Sequence, residues 1–280
     1  MVYTTRWRGS RARDILECMA YPLVYVINRP CLRMVGQLLY DFSLRCNGIG
    51  IAFPGTQGLT KSEEKFLRRI APTLRKATIL DVGANHGAYA SLLKDLVPDS
   101  VIYAFEPHPG TFSVLQQKAA QKGFIAMQLA VSDTAGPMRL YDFADQDGST
   151  QASLDENTIS FQNNSEVVSH AVQSTILDNF AQEFQIGTID LLKIDTEGFD
   201  LAVLKGAARL LVERRIKLIQ FEIIPVNVVR RVAVKDFFEI LEGYDLYRLC
   251  ANGQLLSIQP YSVKTCEIYV TQNLIARLKT

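Results

Sequence analysis

The chain has 280 residues, of which 48% are hydrophobic, so it can bury the core of one large domain and is not expected to be disordered. Thirty basic residues nearly balance 29 acidic ones, and this net charge of +1 gives no electrostatic reason to expect a nucleic acid partner. The five cysteines are odd in number and form no CxxC pair, which favours a reduced, cytoplasmic protein over a disulfide framework or a zinc site.

Residues 1–60 are predicted to be a mainly helical accessory segment. Helices are expected at residues 13–28, where Pro22 leaves one helix or two open, and at residues 33–45. The longest apolar run, residues 18–27, is too short to span a bilayer, and no signal peptide is evident. Any membrane contact of the protein is expected through this segment, and a homodimer surface is a second role that it could have.

Residues 61–280 are predicted to form one α/β domain, because strand and helix patterns alternate along them. Thr60 or Ser62 is expected to cap the first helix. The predicted strands are, in chain order, ATILDVG, SVIYAFEP, IAMQLAVSD, TIDLLKID, IKLIQFEII, YDLYRLC, GQLLSIQ and CEIYVTQ. The predicted helices between them are GAYASLLKDL, GTFSVLQQKAAQKG, GFDLAVLKGAARLLVERR and VKDFFEILEGY. This alternation implies a mostly parallel, Rossmann-like sheet, and the consecutive last strands predict an antiparallel strand or hairpin at one edge.

The loop after the first predicted strand is the expected ligand site, because such sheets bind ligands beyond the carboxyl ends of their strands. The strand ends at Asp81, and a helix follows a turn made of Gly83, Ala84, Asn85, His86 and Gly87. This turn has neither the P-loop pattern nor the G-x-G-x-x-G spacing of dinucleotide sites, and an acid next to a pyrophosphate is unfavourable. The acid and the helix N-terminus together suit a ligand with a positive group and a carboxylate, such as S-adenosylmethionine.

Two further strand ends add cofactor candidates. The second strand ends in Glu106 and Pro107, and an acid at this position can accept hydrogen bonds from both ribose hydroxyls of S-adenosylmethionine or of NAD. The third strand ends in Ser132 and Asp133, which are candidates for the adenine edge. Alternatively, Asp81 and Asp133 only cap the turns that follow them.

Five blocks, DVGANHGAYA, FEPHP, AVSD, LLKIDTEGFDLAVLKGA and FE, resemble in this order the FkbM-type S-adenosylmethionine-dependent methyltransferases. The resemblance covers roughly residues 61–269 and does not extend to residues 1–60. It implies a class I methyltransferase fold, with a seven-stranded sheet whose last strand is antiparallel, and S-adenosyl-L-methionine as cofactor. It also implies O-methylation of a hydroxyl on a sugar, glycan or polyketide-type natural product. Ser153 belongs to a Ser-Leu pair that resembles one recurring in the family, so it joins the cofactor-side candidates.

The catalytic candidates are polar side chains at other strand ends, because an alcohol acceptor must lose its proton during methyl transfer. Asp195 ends the fourth strand and is the first candidate for a base or an orienting group, with a helix cap as the alternative. Glu222 ends the fifth strand, and His170 is either a base or an exposed strand residue. The three histidines have no close acidic partners in sequence, so no metal requirement is predicted.

The polar segment at residues 141–166 is either a solvated loop or a substrate-side lid. Two other functions stay open. A nicotinamide-dependent oxidoreductase is disfavoured by the glycine spacing and by Asp81. A catalytically silent S-adenosylmethionine-binding module at a membrane surface is suggested by the apolar, arginine-bearing N-terminus. The expected partner is a small-molecule or glycan acceptor and not a nucleic acid, and the motifs leave its identity open because pocket shape sets it.

Overall fold

The computed structural model describes residues 11–55, 59–145, 147–149, 151–162 and 166–279. By its contacts the chain divides into two units, one ending at Cys46 and one beginning at Asn47. The first unit contains α1 (Arg11–Ile27), a short 3-10 turn (Pro30–Leu32) and α2 (Arg33–Cys46). The helix α1 runs through Pro22 without a break, so of the one or two helices expected here the structure has one. In the part of the chain that the structure describes, no helix is long and apolar enough to cross a membrane.

The second unit is built around an eight-stranded sheet. Its strands are β1 (Thr78–Val82), β2 (Val101–Phe105), β3 (Ile125–Met127), β7 (Leu191–Ile194), β8 (Leu218–Ile223), β9 (Tyr244–Leu249), β10 (Leu255–Ser257) and β11 (Gln272–Leu278). They lie in the order β10-β9-β11-β8-β7-β1-β2-β3. Strand β11 is antiparallel to both of its neighbours, and the strands from β8 to β3 are parallel. This confirms the class I methyltransferase sheet, with β10 added as a hairpin at one edge.

The described residues of the second unit also contain ten α-helices. They are α3 (Lys61–Ile70), α4 (Ala88–Leu96), α5 (Pro109–Lys122), α6 (Glu156–Gln162), α7 (Leu177–Glu183), α8 (Asp200–Lys205), α9 (Ala208–Val212), α10 (Val226–Val229), α11 (Val234–Ile240) and α12 (Val263–Cys266). Thr60 caps α3 through a capping box with Glu63, as its position predicts. From β1 the chain builds the sheet towards β3, and from β7 it builds towards β8, so the switch point lies between β1 and β7.

A second sheet, in the order β4-β6-β5, was not predicted. It contains β4 (Ala130–Val131), β5 (Gly136–Phe143) and β6 (Val167–Thr175). The predicted third strand is therefore two strands in two sheets, because the chain leaves the main sheet after Met127. The apolar pattern of residues 125–133 is continuous across that break, so periodicity alone could not locate it.

Two further element predictions are wrong. The segment predicted as the last strand, residues 266–272, only reaches β11 at its final residue. Its Glu267 instead accepts hydrogen bonds from the backbone N–H groups of Val234 and Lys235, which begin α11. The helix predicted over residues 198–215 is broken into α8 and α9 near Gly206, where an added Cβ would lie 2.1 Å from the carbonyl oxygen of Ser132.

Residues 47–55 belong to the second unit and contact other parts of it. Ile49 is buried, the Gly50 N–H donates to the Thr271 carbonyl, and the Lys61 N–H donates to the Phe53 carbonyl. The boundary predicted at residue 60 stays a prediction, although these contacts extend the second unit towards the N-terminus.

Candidate active site

A cavity of about 420 Å³ opens at the carboxyl ends of β1, β2 and β7. Eight of the predicted site residues line it: Asp81, Gly83, Ala84, Asn85, His86, Glu106, Pro107 and Asp195. Among the described residues, six others lie outside its lining: Gly87, Ser132, Asp133, Ser153, His170 and Glu222. The switch point of the sheet is thus the place where most of the predicted side chains meet.

The turn after β1 is shaped by close contacts within the protein. Gly83 has a φ of 77°, and an added Cβ would lie 1.8 Å from the carbonyl oxygen of Asp195. The N–H groups of Gly83 and Ala84 both donate to the Phe105 carbonyl. Gly87 also has a positive φ, but its missing side chain leaves room for Leu115 of α5 and not for a ligand. Glycine is needed at both positions, and in both cases a protein neighbour imposes it.

Asp81 is the buried acid of the cavity, and its exposed fraction is 1%. Its Oδ2 atom has no hydrogen-bond partner among the described residues. Burial raises the pKa of Asp81 to about 7, against the opposing charge of Lys193. A buried carboxylate oxygen without a partner is costly unless a ligand satisfies it. The amino group of S-adenosylmethionine is a suitable donor, so the residues present fit this cofactor.

Glu106 joins the two loops on the ribose side of this arrangement. Its Oε2 accepts from the Asn85 N–H at 3.0 Å, and its Oε1 accepts from the His108 N–H at 2.9 Å. Burial raises the pKa of Glu106 to about 7, although both N–H groups oppose this. Each carboxylate oxygen can accept a second hydrogen bond, which leaves acceptor capacity for ribose hydroxyls.

The two residues predicted to contact the adenine edge lie outside the lining of the cavity. Asp133 is exposed, and Ser132 is buried with its hydroxyl directed to Asp133. The preceding residues, Leu129, Ala130 and Val131, line the cavity instead. The chain turns into the second sheet at this point, so the wall that it offers is apolar and better suited to the face of a base than to hydrogen bonds at its edge.

Asp195 lies in the cavity and is paired with a buried lysine. Lys193 Nζ donates to Asp195 Oδ2 at 2.7 Å, and Lys193 is 4% exposed. Burial alone would lower the pKa of Lys193, but the charges of Asp195, Glu63 and Asp81 raise it above its ordinary range. The helix after Asp195 begins at Asp200 with Phe199 as its N-cap, so the alternative reading of Asp195 as a helix cap is wrong.

Glu197 is a site residue that the sequence indicates only as an acid at the end of the fourth strand, with a favourable first-turn helix charge as the alternative. It lines the cavity, and its φ of 50° places it in the left-handed region that non-glycine residues rarely adopt. Burial raises its pKa to about 8, and the neighbouring charges of Asp195 and Asp200 add to this. Such strained residues cluster at active sites. The polar turn between β7 and α8, which ends in Gly198, was the available signal.

A buried polar network lies next to Lys193. The sequence patterns did not predict it. Tyr89 donates its hydroxyl to Gln220 Oε1 at 2.8 Å, and Gln220 Nε2 donates to Glu63 Oε1 at 3.1 Å. Glu63 and Tyr89 both line the cavity. Helix α3 therefore contributes to the site through a residue that the sequence marks only as a favourable first-turn charge.

The other two catalytic candidates lie elsewhere. The N–H of Glu222 donates to Asp200 Oδ1, and its Oε1 accepts from Asn273 Nδ2 at 3.2 Å. Burial raises the pKa of Glu222 well above its ordinary range. His170 lies on β6 in a cluster with Asp147 and His108. Neither side chain lines the cavity, so we do not assign either of them a contact with the reacting groups.

The cluster contradicts the expectation that the histidines lack acidic partners. Asp147 Oδ1 lies 3.0 Å from His108 Nε2 and 2.7 Å from His170 Nε2. His108 Nδ1 accepts from the backbone N–H of Thr111, which places the proton of the neutral ring on Nε2, from where it donates to Asp147. A metal-bound histidine usually donates through its other nitrogen. This arrangement is that of a hydrogen-bonded cluster, and the absence of a metal requirement stays a prediction.

The segment at residues 141–166 contributes to the wall of the cavity. Ser149, Ala152 and Leu154 line it. Ser153 is buried between them, pairs with Tyr141 through two backbone hydrogen bonds, and directs its hydroxyl to the Glu197 carbonyl at 3.5 Å. Ser153 therefore holds this wall next to Glu197 and does not line the cavity itself.

The sheet order and the antiparallel β11 define the class I methyltransferase fold. The family model described as Methyltransferase FkbM domain matches residues 81–246, which is more than half of the chain. The protein therefore belongs to the FkbM methyltransferase family, and S-adenosylmethionine is its cofactor.

Two curated relatives are similar over part of their length. Methyltransferase sdnD of Sordaria araneosa is 28% identical, over 46% of this chain and 59% of the relative. Methyltransferase 1 of Beauveria bassiana (strain ARSEF 2860) is 29% identical, over 49% of this chain and 61% of the relative. The similarity thus spans about three fifths of the length of each relative. Among solved structures, an O-methyltransferase from Bacillus cereus in complex with SAH is 10% identical with a TM-score of 0.44, covering 94% of this chain and 97% of that chain. Similarity at that level carries no functional information.

Proposed function

We propose that the protein is an O-methyltransferase that acts on a hydroxyl of a sugar, a glycan or a polyketide-type small molecule. The observation that carries this proposal is that Asp195 and Glu197, at the carboxyl end of β7, share one cavity with Asp81 and Glu106. A hydroxyl is a weak nucleophile and must lose its proton as the methyl group is transferred. Carboxylates next to the cofactor site suit that requirement.

The two carboxylates have different roles in this proposal. Lys193 holds Asp195 in place, which suits Asp195 to orienting the acceptor hydroxyl. Glu197, whose burial raises its pKa to about 8, has a proton affinity close to the operating pH and is suited to accept the proton. S-adenosylmethionine, when bound, supplies the activated methyl group. The residues of the chain bind the cofactor and the acceptor, orient the acceptor hydroxyl and accept its proton.

The test is identification of the methylated atom. The full chain is incubated with S-adenosylmethionine carrying a ¹³C-methyl group and with hydroxyl-bearing glycosides and polyketide alcohols. Matched analogues carry an amino group in place of the hydroxyl. We expect ¹³C-methoxy signals together with S-adenosylhomocysteine. Label found only on nitrogen or carbon contradicts O-methylation and leaves the methyltransferase assignment intact.

The proposal includes a cytoplasmic location. It is supported by the five cysteines, all of which are free thiols in the structure, as expected in a reducing compartment. Fractionation of the producing cells, with a cytoplasmic marker protein as the reference, would check it.

A further inference from the structure

The helices of the first unit expose a concentration of large apolar side chains. In α1, Met19, Tyr21, Leu23, Val24 and Tyr25 are between 54% and 72% exposed. These residues follow one another closely along the helix, and successive residues point in directions about 100° apart. The apolar surface therefore surrounds this part of α1 and is not confined to one face. A helix of that kind is normally buried in a core or in lipid.

Most of the exposed apolar side chains of the second helix, α2, lie on one side of it, and Tyr40 is exposed on the other side. Met34, Val35, Leu38, Leu39 and Phe42 recur at helical spacing and are between 42% and 75% exposed. This spacing collects them into one stripe. An apolar stripe of this size on a water-exposed helix marks an interaction surface.

Charge separates this unit from the rest of the chain. Residues 1–46 contain seven arginines, no lysine and three acids, whereas residues 47–280 contain 23 basic and 26 acidic residues. The arginines also flank the apolar stretch, since Arg11 and Arg13 precede it, Arg29 and Arg33 follow it, and no charged residue lies between Cys18 and Asn28. Basic residues at the ends of an apolar helix can reach lipid phosphates while the apolar part enters the interface.

We propose that α1 and α2 bind the surface of an anionic lipid membrane, with the apolar side chains in the interfacial region and the arginines at the phosphates. A second copy of the chain would cover the stripe on α2 but would leave apolar side chains on the other sides of α1. A lipid medium accommodates both helices at once. This inference is independent of the acceptor proposed above.

The test is flotation of the full chain with vesicles of phosphatidylcholine alone and of phosphatidylcholine mixed with phosphatidylglycerol. We expect binding to the anionic vesicles that weakens with salt and is weaker on the neutral ones. The double variant Leu38→Glu/Phe42→Glu should bind anionic vesicles at least about tenfold more weakly, because two side chains lose their burial in the interface.

The control is Val212→Glu, which replaces an exposed apolar residue at the end of α9 with one glutamate and so adds half the charge of the double variant. It should bind vesicles as the unchanged chain does, and S-adenosylhomocysteine should stabilise all variants equally, which shows that the second unit is folded. The proposal is overturned if the chain does not float with anionic vesicles, or if Val212→Glu loses as much binding as the double variant. A dimer in solution that the double variant dissociates, without vesicle binding, assigns the surface to a second copy.

Discussion

Two sides of the cavity are held in place by different kinds of contact: the cofactor side, and the side lined by Leu140, Ser149, Ala152 and Leu154. On the cofactor side, the backbone N–H groups of Gly83, Ala84 and Asn85 bond to the end of β2, within one βαβ unit. On the other side, residues far apart in sequence meet, as in the contact of Asp147 with His108 and His170. The first arrangement depends on a few backbone positions, and the second distributes its stability over many weaker contacts. We therefore expect substitutions to be severe on the first side and mild on the second.

The largest effect is expected where the two sides meet, at Glu197. Glu197→Gln should lower turnover by about 10²–10⁴-fold, because a positioned base contributes about that much, while S-adenosylhomocysteine affinity stays nearly constant. Glu222→Gln is the matched control, since it removes another partly buried acid, one that does not line the cavity. Single-turnover rates measure both. Equal losses in the two variants would remove Glu197 from the chemistry.

Gly83→Ala tests whether the cofactor side depends on the backbone as strongly as proposed. The new Cβ would lie 1.8 Å from the Asp195 carbonyl oxygen, at a φ of 77°. Strain and displacement together should lower the free energy of unfolding by about 3–5 kcal/mol. Gly187→Ala is the control, because its Cβ meets nothing within 4 Å. Urea unfolding followed by circular dichroism measures both, and similar midpoints for the two variants would contradict the prediction.

Asp81→Asn tests the cofactor side at the level of a single side chain. The variant lacks the carboxylate charge that we assign to binding the amino group of the cofactor. S-adenosylhomocysteine should therefore bind about 1.5–3 kcal/mol more weakly. Asp133→Asn, an exposed position outside the cavity lining, should leave the affinity unchanged. Calorimetry measures the affinity of both variants. A larger loss in Asp133→Asn than in Asp81→Asn would assign the ligand contact to Asp133.

The pH dependence of cofactor binding should follow the same two acids. Burial raises the pKa of both Asp81 and Glu106 to about 7. An acid with a raised pKa in the folded state stabilises the ligand-free fold fully below its unfolded pKa of about 4, and this stability is lost as the pH rises through about 7. The ligand, in contrast, needs the ionised carboxylates.

S-adenosylhomocysteine affinity should therefore rise at least about tenfold from pH 6 to pH 8, as one group with a pKa near 7 requires. The melting temperature of the ligand-free chain should not rise along with it. Calorimetry and thermal unfolding across this range provide the two curves. A flat affinity profile would mean that neither acid changes its protonation on binding.

The smallest effect is expected from Asp147→Ala on the opposite side. It removes the shared acceptor of His108 and His170 but leaves the other contacts of this wall in place. The acceptor KM should rise about two- to fivefold, as for a partly exposed pair, while S-adenosylhomocysteine affinity does not change. Asp145→Ala, an exposed acid of the same segment, is the control. A loss of cofactor affinity in Asp147→Ala would show that the two sides are coupled.

The sequence by itself determined the features that depend on neighbours along the chain. The apolar runs of β1 and β2, the cap at Thr60, the helix end at Gly123 and the acids Asp81 and Glu106 all follow from local patterns. Each of these features depends on residues within one βα unit, so the spacing of residues along the chain is sufficient to predict it.

Only the tertiary structure decided what depends on contacts between distant segments. Nothing near Met127 marks the point at which the chain leaves the main sheet, and nothing near Asp147 identifies His108 and His170 as its partners. The last strand lies at residues 272–278 and not at 266–272, because Glu267 is engaged by α11 while Leu274, Ile275 and Ala276 are buried between β8 and β9. The two segments have similar β propensity. Which of them forms the strand depends on burial and on pairing with strands that are distant in sequence, and no local pattern contains that information.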